Sequence, residues 1–348
     1  MRTINMLSSA DKVKGQGVGS AYLEQVSLVK NGLDNDYEVV VNQKGNSEIA
    51  HYHTIDLKHY FHSLFGSKHR ANVGYVHFLP ETVDGSLKLP VGAKDIFYKY
   101  IISFYKKMDY LVTVNPYFIE RLAAYGIDKS KIFYIPNFVS EEQFYPMKQE
   151  EVNAIRRRYE IDENSFVVLG VGQVQTRKGV LDFIEIAEKM PDVQFVWAGG
   201  FSFGKITDGY EELKKVVDNP PENVKFIGIV DREDMNSIYN MSDLLFMPSY
   251  NELFPMSILE TMNCAKPMLL RDIDIYKDIL RDYYLRGKDN GEFIKIIESI
   301  KAKDEAYETA RELSKKGARF YSRDHVLKQW QEFYDKVYEE KVVRGNEE

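Results

Sequence analysis

The sequence has little of what stabilises a small secreted scaffold or anchors a chain in a bilayer. Its 348 residues contain one cysteine, Cys264, so no intramolecular disulfide can form and a reducing compartment is expected. No apolar run approaches the ~18–20 residues of a membrane span. The opening MRTINMLSSA lacks the apolar core and cleavage site of a signal peptide. We therefore expect a soluble cytoplasmic protein, which still allows peripheral attachment to the inner face of the cell membrane.

Composition and charge narrow the class further. With 44% hydrophobic and 28% charged residues, the chain is neither collagen-like nor disordered. The net charge is −7, yet the window from Lys58 to Lys107 carries eight basic and three acidic residues. Six of the seven histidines also lie between His51 and His77. A basic window in an acidic protein favours an anionic partner, such as a phosphate or a lipid surface, with a solvated face as the plain alternative.

The order of apolar runs predicts the fold class. Short apolar strands alternate with amphipathic helices in two series, one starting at residues 3–7 and the other at residues 166–172. Such alternation is typical of parallel sheets with helices on both faces. We predict an α/β chain with two doubly wound, Rossmann-like domains, residues 1–150 and 151–324. A C-terminal helix at about 325–340 is expected to pack back on the first domain. Ligands of such sheets bind at the carboxyl ends of the strands, which makes a cleft between two facing domains the expected site.

Two loops that follow predicted strands combine glycine with positive charge. Residues 14–20 read G-x-G-x-G and include Gly17, where the missing side chain lets the backbone approach a phosphate. A flexible loop is the alternative, because the spacing does not match a dinucleotide fingerprint. Residues 172–179 follow the first strand of the second domain and include Arg177 and Lys178. Cations at a strand-to-helix turn predict a diphosphate site there.

The segment from Glu252 to Glu260 carries the strongest pattern. Pro255 is well placed as the first helical residue, and the free N–H groups of Met256 and Ser257 then form an anion site. Glu260 lies roughly 7–8 Å along the helix axis from Pro255. Two carboxylates so placed can bind hydroxyls at opposite ends of one elongated ligand. An ordinary pair of surface carboxylates is the alternative.

Together these motifs resemble the retaining glycosyltransferases of family four, which have the GT-B fold. The resemblance covers nearly the whole chain, and the order and spacing of its pieces carry it. The matching pieces are the early glycine loop, VHF at 76–78, YIPN at 134–137, KG at 178–179, AGG at 198–200, FIGIV at 226–230, PS at 248–249 and the E-x7-E of residues 252–260.

The resemblance implies a donor site for a UDP-sugar. Lys178 would bind the diphosphate, Glu260 would hold the ribose hydroxyls, and the backbone of Ile229 and Val230 would contact the base. Gly17 would face the phosphates. No cofactor is expected, a metal is not required, and no nucleic-acid partner is implied. Two D-x-D tripeptides, at residues 34–36 and 272–274, are short patterns for which we expect no metal role.

The resemblance also implies how the sugar is held and moved. Glu252 and the backbone of Phe254, Pro255 and Met256 would hold the transferred hexose, and His77 would lie beside the sugar and the acceptor. The implied transfer retains configuration without a protein nucleophile, and the leaving phosphate helps to deprotonate the acceptor. The protein would contribute positioning and stabilisation of the leaving diphosphate.

Two positions depart from the family pattern. The arginine that the family has five residues before the lysine is Gln173 here, so Arg177 is expected to supply that charge. The first glycine of the usual pair is Gln16, which leaves the details of that loop open.

The acceptor is predicted from a basic, aromatic surface. Residues 94–107 combine aromatic and aliphatic side chains with four lysines, and residues 58–65 and 68–70 repeat the mixture. Such a mixture suits the interface of an anionic membrane. A helix whose apolar side faces the protein core is an alternative of equal weight. The opening residues 4–19 resemble Gram-positive diglycosyl-diacylglycerol synthases. This likeness implies transfer of galactose or glucose to monoglucosyl-diacylglycerol, whose product anchors lipoteichoic acid.

Three other interpretations remain. A family four enzyme could act on a soluble or polysaccharide acceptor instead. A dinucleotide-dependent oxidoreductase would need a tight glycine turn after the first strand, which the sequence lacks. A non-catalytic nucleotide-sugar-binding protein would be expected to lose either the carboxylate pair or Lys178, and both are present.

Overall fold

The chain folds into two α/β units, each built around its own parallel sheet. The computed structural model describes residues 1–9, 17–45, 47–65, 70–80, 93–202, 204, 207–252 and 254–343. Unit 1 takes its described residues from 1–80, 93–138 and 321–343, and unit 2 takes its own from 139–320. The chain therefore leaves unit 1 after Phe138 and returns to it at Tyr321.

The sheet of unit 1 has six strands in the order β2-β1-β3-β4-β5-β6, and all of its described pairings are parallel. Its strands are β1 (Arg2–Leu7), β2 (Tyr37–Val41), β3 (Ile49–Tyr52), β4 (Ala71–Val76), β5 (Tyr110–Thr113) and β6 (Ile132–Tyr134). Strands β3 and β4 are almost completely buried, as expected for parallel strands that helices cover on both faces. The described helices that precede residue 138 are α1 (Gly17–Gly32), α2 (Leu57–Leu64), α3 (Ala93–Lys106) and α4 (Tyr117–Ala124).

The sheet of unit 2 also has six strands, in the order β12-β11-β10-β7-β8-β9, and its strand pairs are parallel. Its strands are β7 (Val167–Val171), β8 (Gln194–Ala198), β9 (Val224–Gly228), β10 (Leu244–Met247), β11 (Met268–Arg271) and β12 (Leu285–Gly287). The strand order reverses between β7 and β10, and open α/β sheets bind ligands at such a switch point. The predicted class, two doubly wound domains with parallel sheets, is confirmed.

Helices connect the strands of unit 2 and pack on its sheet. They are α5 (Gln149–Arg158), α6 (Val180–Lys189), α7 (Tyr210–Asp218), α8 (Met235–Met241), α9 (Met256–Asn263), α10 (Asp274–Leu280), α11 (Asn290–Ile300) and α12 (Glu305–Phe320). Phe183 on α6 meets Trp197 of β8 edge to face, with ring centroids 5.1 Å apart, and stacks on Phe246 of β10. This aromatic contact joins α6 to strands on both sides of the switch point.

The last long helix, α13 (Arg323–Val337), belongs to unit 1. It packs against α1, where Gln25 Nε2 donates to Tyr334 Oη at 3.3 Å. The same hydroxyl lies 2.8 Å from His51 Nδ1 on β3. Trp330 and Tyr334 are buried, so the C-terminal helix supplies part of the core of unit 1. Residues Tyr338–Val343 continue it as a π-helix.

Candidate active site

The switch point of unit 2 brings two loops together. One loop follows β7 and ends in a 3₁₀ turn, Thr176–Lys178, and the other follows β10. Gly179 has a φ of +69°, and a Cβ there would lie 2.4 Å from the carbonyl oxygen of Pro248. The N–H of Tyr250 donates to the carbonyl oxygen of Arg177 at 2.8 Å. Only glycine at position 179 permits this approach of the two loops.

Lys178 and Glu252 form a buried ion pair at this point. Lys178 Nζ bonds Glu252 Oε1, and Arg177 Nη1 lies 3.7 Å from Glu252 Oε2. Burial alone would raise the pKa of Glu252, but Lys178 and Arg177 outweigh it and hold this pKa below its usual value. Burial lowers the pKa of Lys178, an effect that Glu252 opposes. The structure thus brings Arg177 and Lys178, predicted to bind the donor diphosphate, next to Glu252, predicted to hold the sugar, and their roles in binding stay predictions.

Glu260 lies on α9 and has partners that the sequence did not reveal. Arg232 Nη1 donates to Glu260 Oε1 at 2.7 Å, and Tyr239 Oη donates to the other carboxylate oxygen. The Arg232 guanidinium also lies over the ring of Phe144, 5.1 Å from its centroid. Burial, then the charge of Glu260, raise the pKa of Tyr239 well above its usual value. The phenol therefore stays a hydrogen-bond donor that fixes the carboxylate.

Helix α9 begins one residue later than predicted. The structure starts it at Met256, and Pro255 is its N-cap with a φ of −62° and an extended ψ of 134°. A fixed φ near −65° suits either position, so sequence alone did not separate them. The first N–H groups of α9 still have no acceptor within the helix. Phe254 and Met256 are buried, while Leu253 lies outside the described residues.

The loop after β9 is held close to the end of β8. The N–H of Gly199 donates to the carbonyl oxygen of Gly228 at 2.7 Å. A Cβ on Gly199, whose φ is +143°, would lie 1.8 Å from the carbonyl oxygen of Gly172. Glycine at 199 thus lets the ends of β7, β8 and β9 meet closely. The next residues are Ile229, which is 52% exposed, and the partly exposed Val230.

In unit 1, His77 directly follows β4 and joins a column of aromatic rings. Its ring stacks on Tyr75 with centroids 4.3 Å apart, and Tyr75 stacks on His53 at 5.1 Å. Burial lowers the pKa of His77 to about 3, so its ring is neutral at physiological pH. Gly17 is the first residue of α1. Residues 18–20 of the predicted glycine loop also belong to α1, and residues 14–16, including Gln16, lie outside the described residues.

In the part of the chain that the structure describes, neither D-x-D tripeptide forms part of a metal-ligand cluster. Within the described ranges, no group of three or more His, Cys, Asp or Glu side chains could hold a metal ion. Asp34 and Asp36 lie in the turn after α1. Asp274 starts α10 and pairs with Lys277 at 2.7 Å. Among the described residues, no helix is both long and apolar enough to cross a membrane.

Comparisons with known proteins identify the family to which this chain is related. Residues 151–320 match the profile of the family described as "Glycosyl transferases group 1". The "Alpha-galactosylglucosyldiacylglycerol synthase" of Streptococcus pneumoniae (strain ATCC BAA-255 / R6) is 46% identical over 333 residues, which are 96% of this chain and 89% of that protein. The "Processive diacylglycerol alpha-glucosyltransferase" of Acholeplasma laidlawii is 34% identical over 211 residues, 60% of this chain and 62% of that one.

Similarity to solved structures identifies the fold of this chain. The crystal structure of Anabaena Alr3699/HepE in complex with UDP-glucose has a TM-score of 0.77 at 14% identity, covering 97% of this chain and 100% of that one. Sucrose-phosphate synthase from Thermosynechococcus elongatus has a TM-score of 0.76 at 15% identity, covering 97% and 99%. The chain is thus a two-domain α/β protein with the GT-B fold. It belongs to the family of group 1 glycosyltransferases, and within that family it resembles glycolipid synthases.

Proposed function

We propose that this glycosyltransferase moves a hexose from a UDP-sugar to monoglucosyl-diacylglycerol, with retention of configuration, to give a diglycosyl-diacylglycerol. The likeness to the pneumococcal synthase, 46% over 96% of the chain, is the observation that carries the proposal. The name of that relative favours galactose over glucose as the transferred sugar. The product would serve as a lipoteichoic acid anchor.

In this proposal the donor diphosphate binds to the positively charged ammonium group of Lys178. The ammonium is buried at the switch point, where a low local dielectric strengthens its attraction for phosphate. Arg177 lies beside it and compensates for Gln173, and the N-terminus of α9 adds N–H donors. Glu260 accepts from the ribose hydroxyls while Arg232 and Tyr239 hold it in place. The backbone of Ile229 and Val230 faces the base.

The transfer breaks the bond between C1 of the sugar and the diphosphate oxygen. A bond from C1 to the acceptor oxygen forms on the same face, and the acceptor proton passes to the leaving phosphate. Lys178 and Arg177 stabilise the negative charge that develops on that phosphate. Glu252 and the backbone of residues 254–256 hold the sugar. We assign His77 to the sugar and the acceptor, where its neutral ring accepts or donates a hydrogen bond without a charge. The positive charge comes from side chains, so the proposal needs no metal.

The acceptor is a lipid, and helix α2 of unit 1 has the surface to reach one. This helix turns His59 and Ser63 inward and leaves Leu57, Phe61 and Leu64 exposed, followed by Phe65, which is 83% exposed. A soluble helix buries its apolar face instead. An exposed apolar stripe of this kind marks an interaction site.

Helix α3 adds positive charge to the same surface. Tyr60 Oη on α2 lies 3.0 Å from Ser103 Oγ on α3, so the two helices are neighbours. Lys99, Lys106 and Ile96 are exposed on or at the end of α3, and Lys58 is exposed on α2. Exposed apolar side chains among lysines complement an anionic bilayer surface. We propose that α2 and α3 attach the enzyme peripherally to the inner face of the cell membrane.

The experiment compares donors and acceptors in one assay. The purified enzyme is incubated with UDP-galactose or UDP-glucose and with diacylglycerol, monoglucosyl-diacylglycerol or a soluble glucoside. Mass spectrometry identifies the products, and proton NMR of the new anomeric bond reports its configuration. We expect transfer to monoglucosyl-diacylglycerol with an α linkage. Efficient transfer to the soluble glucoside, with none to either lipid, would contradict the glycolipid acceptor and favour a soluble or polysaccharide one.

A further inference from the structure

Tyr276 lies in the first turn of α10, at the same carboxyl edge of the unit 2 sheet as the loop that carries Glu252. This helix follows β11, whose neighbour β10 leads into the loop that carries Glu252. Arg271 at the end of β11 connects this strand to the loop that follows β10. Its Nε donates to the carbonyl oxygen of Pro248 at 2.8 Å, and its guanidinium lies over the Tyr250 ring, 4.1 Å from the centroid.

The hydroxyl of Tyr276 is buried without a hydrogen bond. The side chain is fully buried, and its oxygen has no hydrogen-bond partner among the described residues. Two other buried tyrosines of unit 2 are satisfied: Tyr239 donates to Glu260, and Tyr307 Oη donates to the carbonyl oxygen of Asp243 at 3.1 Å. Leaving a buried hydroxyl unpaired destabilises the fold, so a ligand that pairs it gains binding energy.

The surroundings of this hydroxyl indicate which ligand group it fits. Burial raises the pKa of the Tyr276 phenol, the charge of Glu252 and then the nearby Tyr284 raise it further, and Arg177 opposes this rise. The phenol and the carboxylate thus share one neighbourhood but form no direct hydrogen bond. A sugar hydroxyl both donates and accepts. One such group between them would donate to the carboxylate and accept from the phenol.

We infer that Tyr276 is a second side-chain contact to the transferred hexose and that, together with Glu252, it recognises one particular sugar hydroxyl. This inference rests on the proposed function, because it deepens the role of the same donor site. A buried donor that is paired only by the correct hydroxyl discriminates strongly against sugars that lack it or present it differently. Tyr276 is therefore a specificity residue for the donor sugar.

Tyr276→Phe removes only the hydroxyl, and Tyr307→Phe is the matched control because it removes a buried hydroxyl of the same unit that is already bonded. Calorimetry measures the binding of UDP and of the UDP-hexose that the wild type uses. Tyr276→Phe should weaken the UDP-hexose about fivefold or more, the scale of one hydrogen bond, and leave UDP unchanged. Its Tm should not fall, whereas Tyr307→Phe should lower the Tm and alter neither affinity.

A series of donors deoxygenated at single ring positions then locates the hydroxyl. The loss caused by Tyr276→Phe should vanish for the one donor that lacks the recognised group, because the two changes are not additive. Equal losses for every deoxy donor, or unchanged UDP-hexose binding, would overturn the inference. If the wild type transfers no sugar to any lipid but the binding pattern holds, the proposed acceptor is wrong and the role of Tyr276 stands.

Discussion

Lys178 and Glu252 reach the same point from opposite sides of a switch in strand order. Lys178 follows β7, Glu252 follows β10, and these two strands are paired in the sheet although the two residues are 74 positions apart. A buried carboxylate and a buried ammonium are each costly alone and are compensated by pairing. The pair therefore keeps a positive charge inside the protein at the place where the donor diphosphate is proposed to bind.

Lys178→Ala should lower kcat/KM by about 10²–10³, the usual effect of losing one group that stabilises developing charge. The change also leaves the buried carboxylate of Glu252 with Arg177 as its nearest cation, so the Tm should fall. Adding Glu252→Gln should restore part of the Tm without restoring activity. Steady-state kinetics and calorimetric melting check both effects. Full activity in a folded Lys178→Ala variant would contradict the proposed site.

Glu260→Ala should weaken UDP binding with a smaller effect on kcat, because its carboxylate is proposed to hold the ribose rather than the reacting bond. Titration calorimetry with UDP and with 2′-deoxy-UDP provides the test. The variant should lose more affinity for UDP than for the deoxy nucleotide. Tyr239→Phe, which removes one hydrogen bond to Glu260, should show the same pattern with a smaller loss. An equal loss for both nucleotides would argue against the ribose contact.

The sequence indicates candidate groups for this site, but it does not indicate how they are arranged. We identified Lys178, Glu252 and Glu260 as candidates because they lie in or after loops that follow apolar strands and because the two glutamates have E-x7-E spacing. The contact between Lys178 and Glu252 depends on which strands pair, and chain order does not determine that. Arg232 and Tyr239 were missed for a similar reason: they precede Glu260 by 28 and 21 positions. The packing of α8, and of the 3₁₀ turn Arg232–Asp234 before it, against α9 brings them to Glu260.

Two local features of unit 1 also could not be predicted from the sequence patterns. Strand β3 has the sequence IAHY and was not predicted, because His51 interrupts its apolar run. The hydrogen bond between His51 and Tyr334 on the distant helix α13 compensates for its burial. Helix α2 was expected to be basic and aromatic, but which face it buries is decided by tertiary contacts. Thr54 holds His59 inward through its backbone carbonyl, and the apolar stripe faces outward.

Chelation should leave the enzyme active. The proposed positive charges at the diphosphate are Lys178, Arg177 and the N-terminus of α9, and none of them depends on a divalent ion. Transfer is measured after exhaustive dialysis against EDTA and again after adding Mg²⁺ or Mn²⁺. We expect rates within about twofold of each other. Complete loss on dialysis with recovery by one ion would show that a metal neutralises the diphosphate instead.

Stability should fall as the pH drops below about 6.5, the ordinary pKa of histidine. Burial lowers the pKa of His51 and of His77 to about 3 and lowers that of His53 well below its usual value. The unfolded chain then binds more protons than the folded one from about pH 6.5 downward, so the stabilisation present above this pH is progressively lost. Each histidine contributes a slope of at most about 1.4 kcal/mol per pH unit.

Urea unfolding between pH 7.5 and 5 measures this slope. His53→Phe keeps a ring in the aromatic column and removes one titrating group, so its slope should be smaller than that of the wild type. His325 lies on the exposed part of α13, and His325→Gln is the control that removes a histidine outside the column. A slope that is the same in His53→Phe and in the wild type would show that the column does not cause the acid sensitivity.

Membrane binding should depend on both the apolar stripe of α2 and the lysines near it. Replacing Leu57, Phe61 and Phe65 with Ser should abolish co-sedimentation with vesicles that contain anionic lipid, because these side chains would enter the interface. Replacing Lys99, Lys106 and Lys107 with Glu should do the same, since each basic residue near an anionic surface contributes about 1 kcal/mol. In the wild type, binding should weaken as the salt concentration rises.

The matched control for charge is unit 2, where Lys148, Lys295 and Lys316 are also exposed. Replacing these three with Glu changes the net charge by the same amount and should leave vesicle binding intact. All variants should retain transfer to an acceptor dispersed in detergent, because the stripe and the lysines are assigned to the bilayer and not to the donor site. If the unit 2 variant releases the protein as fully as the α3 variant does, net charge governs binding and the α2–α3 surface does not.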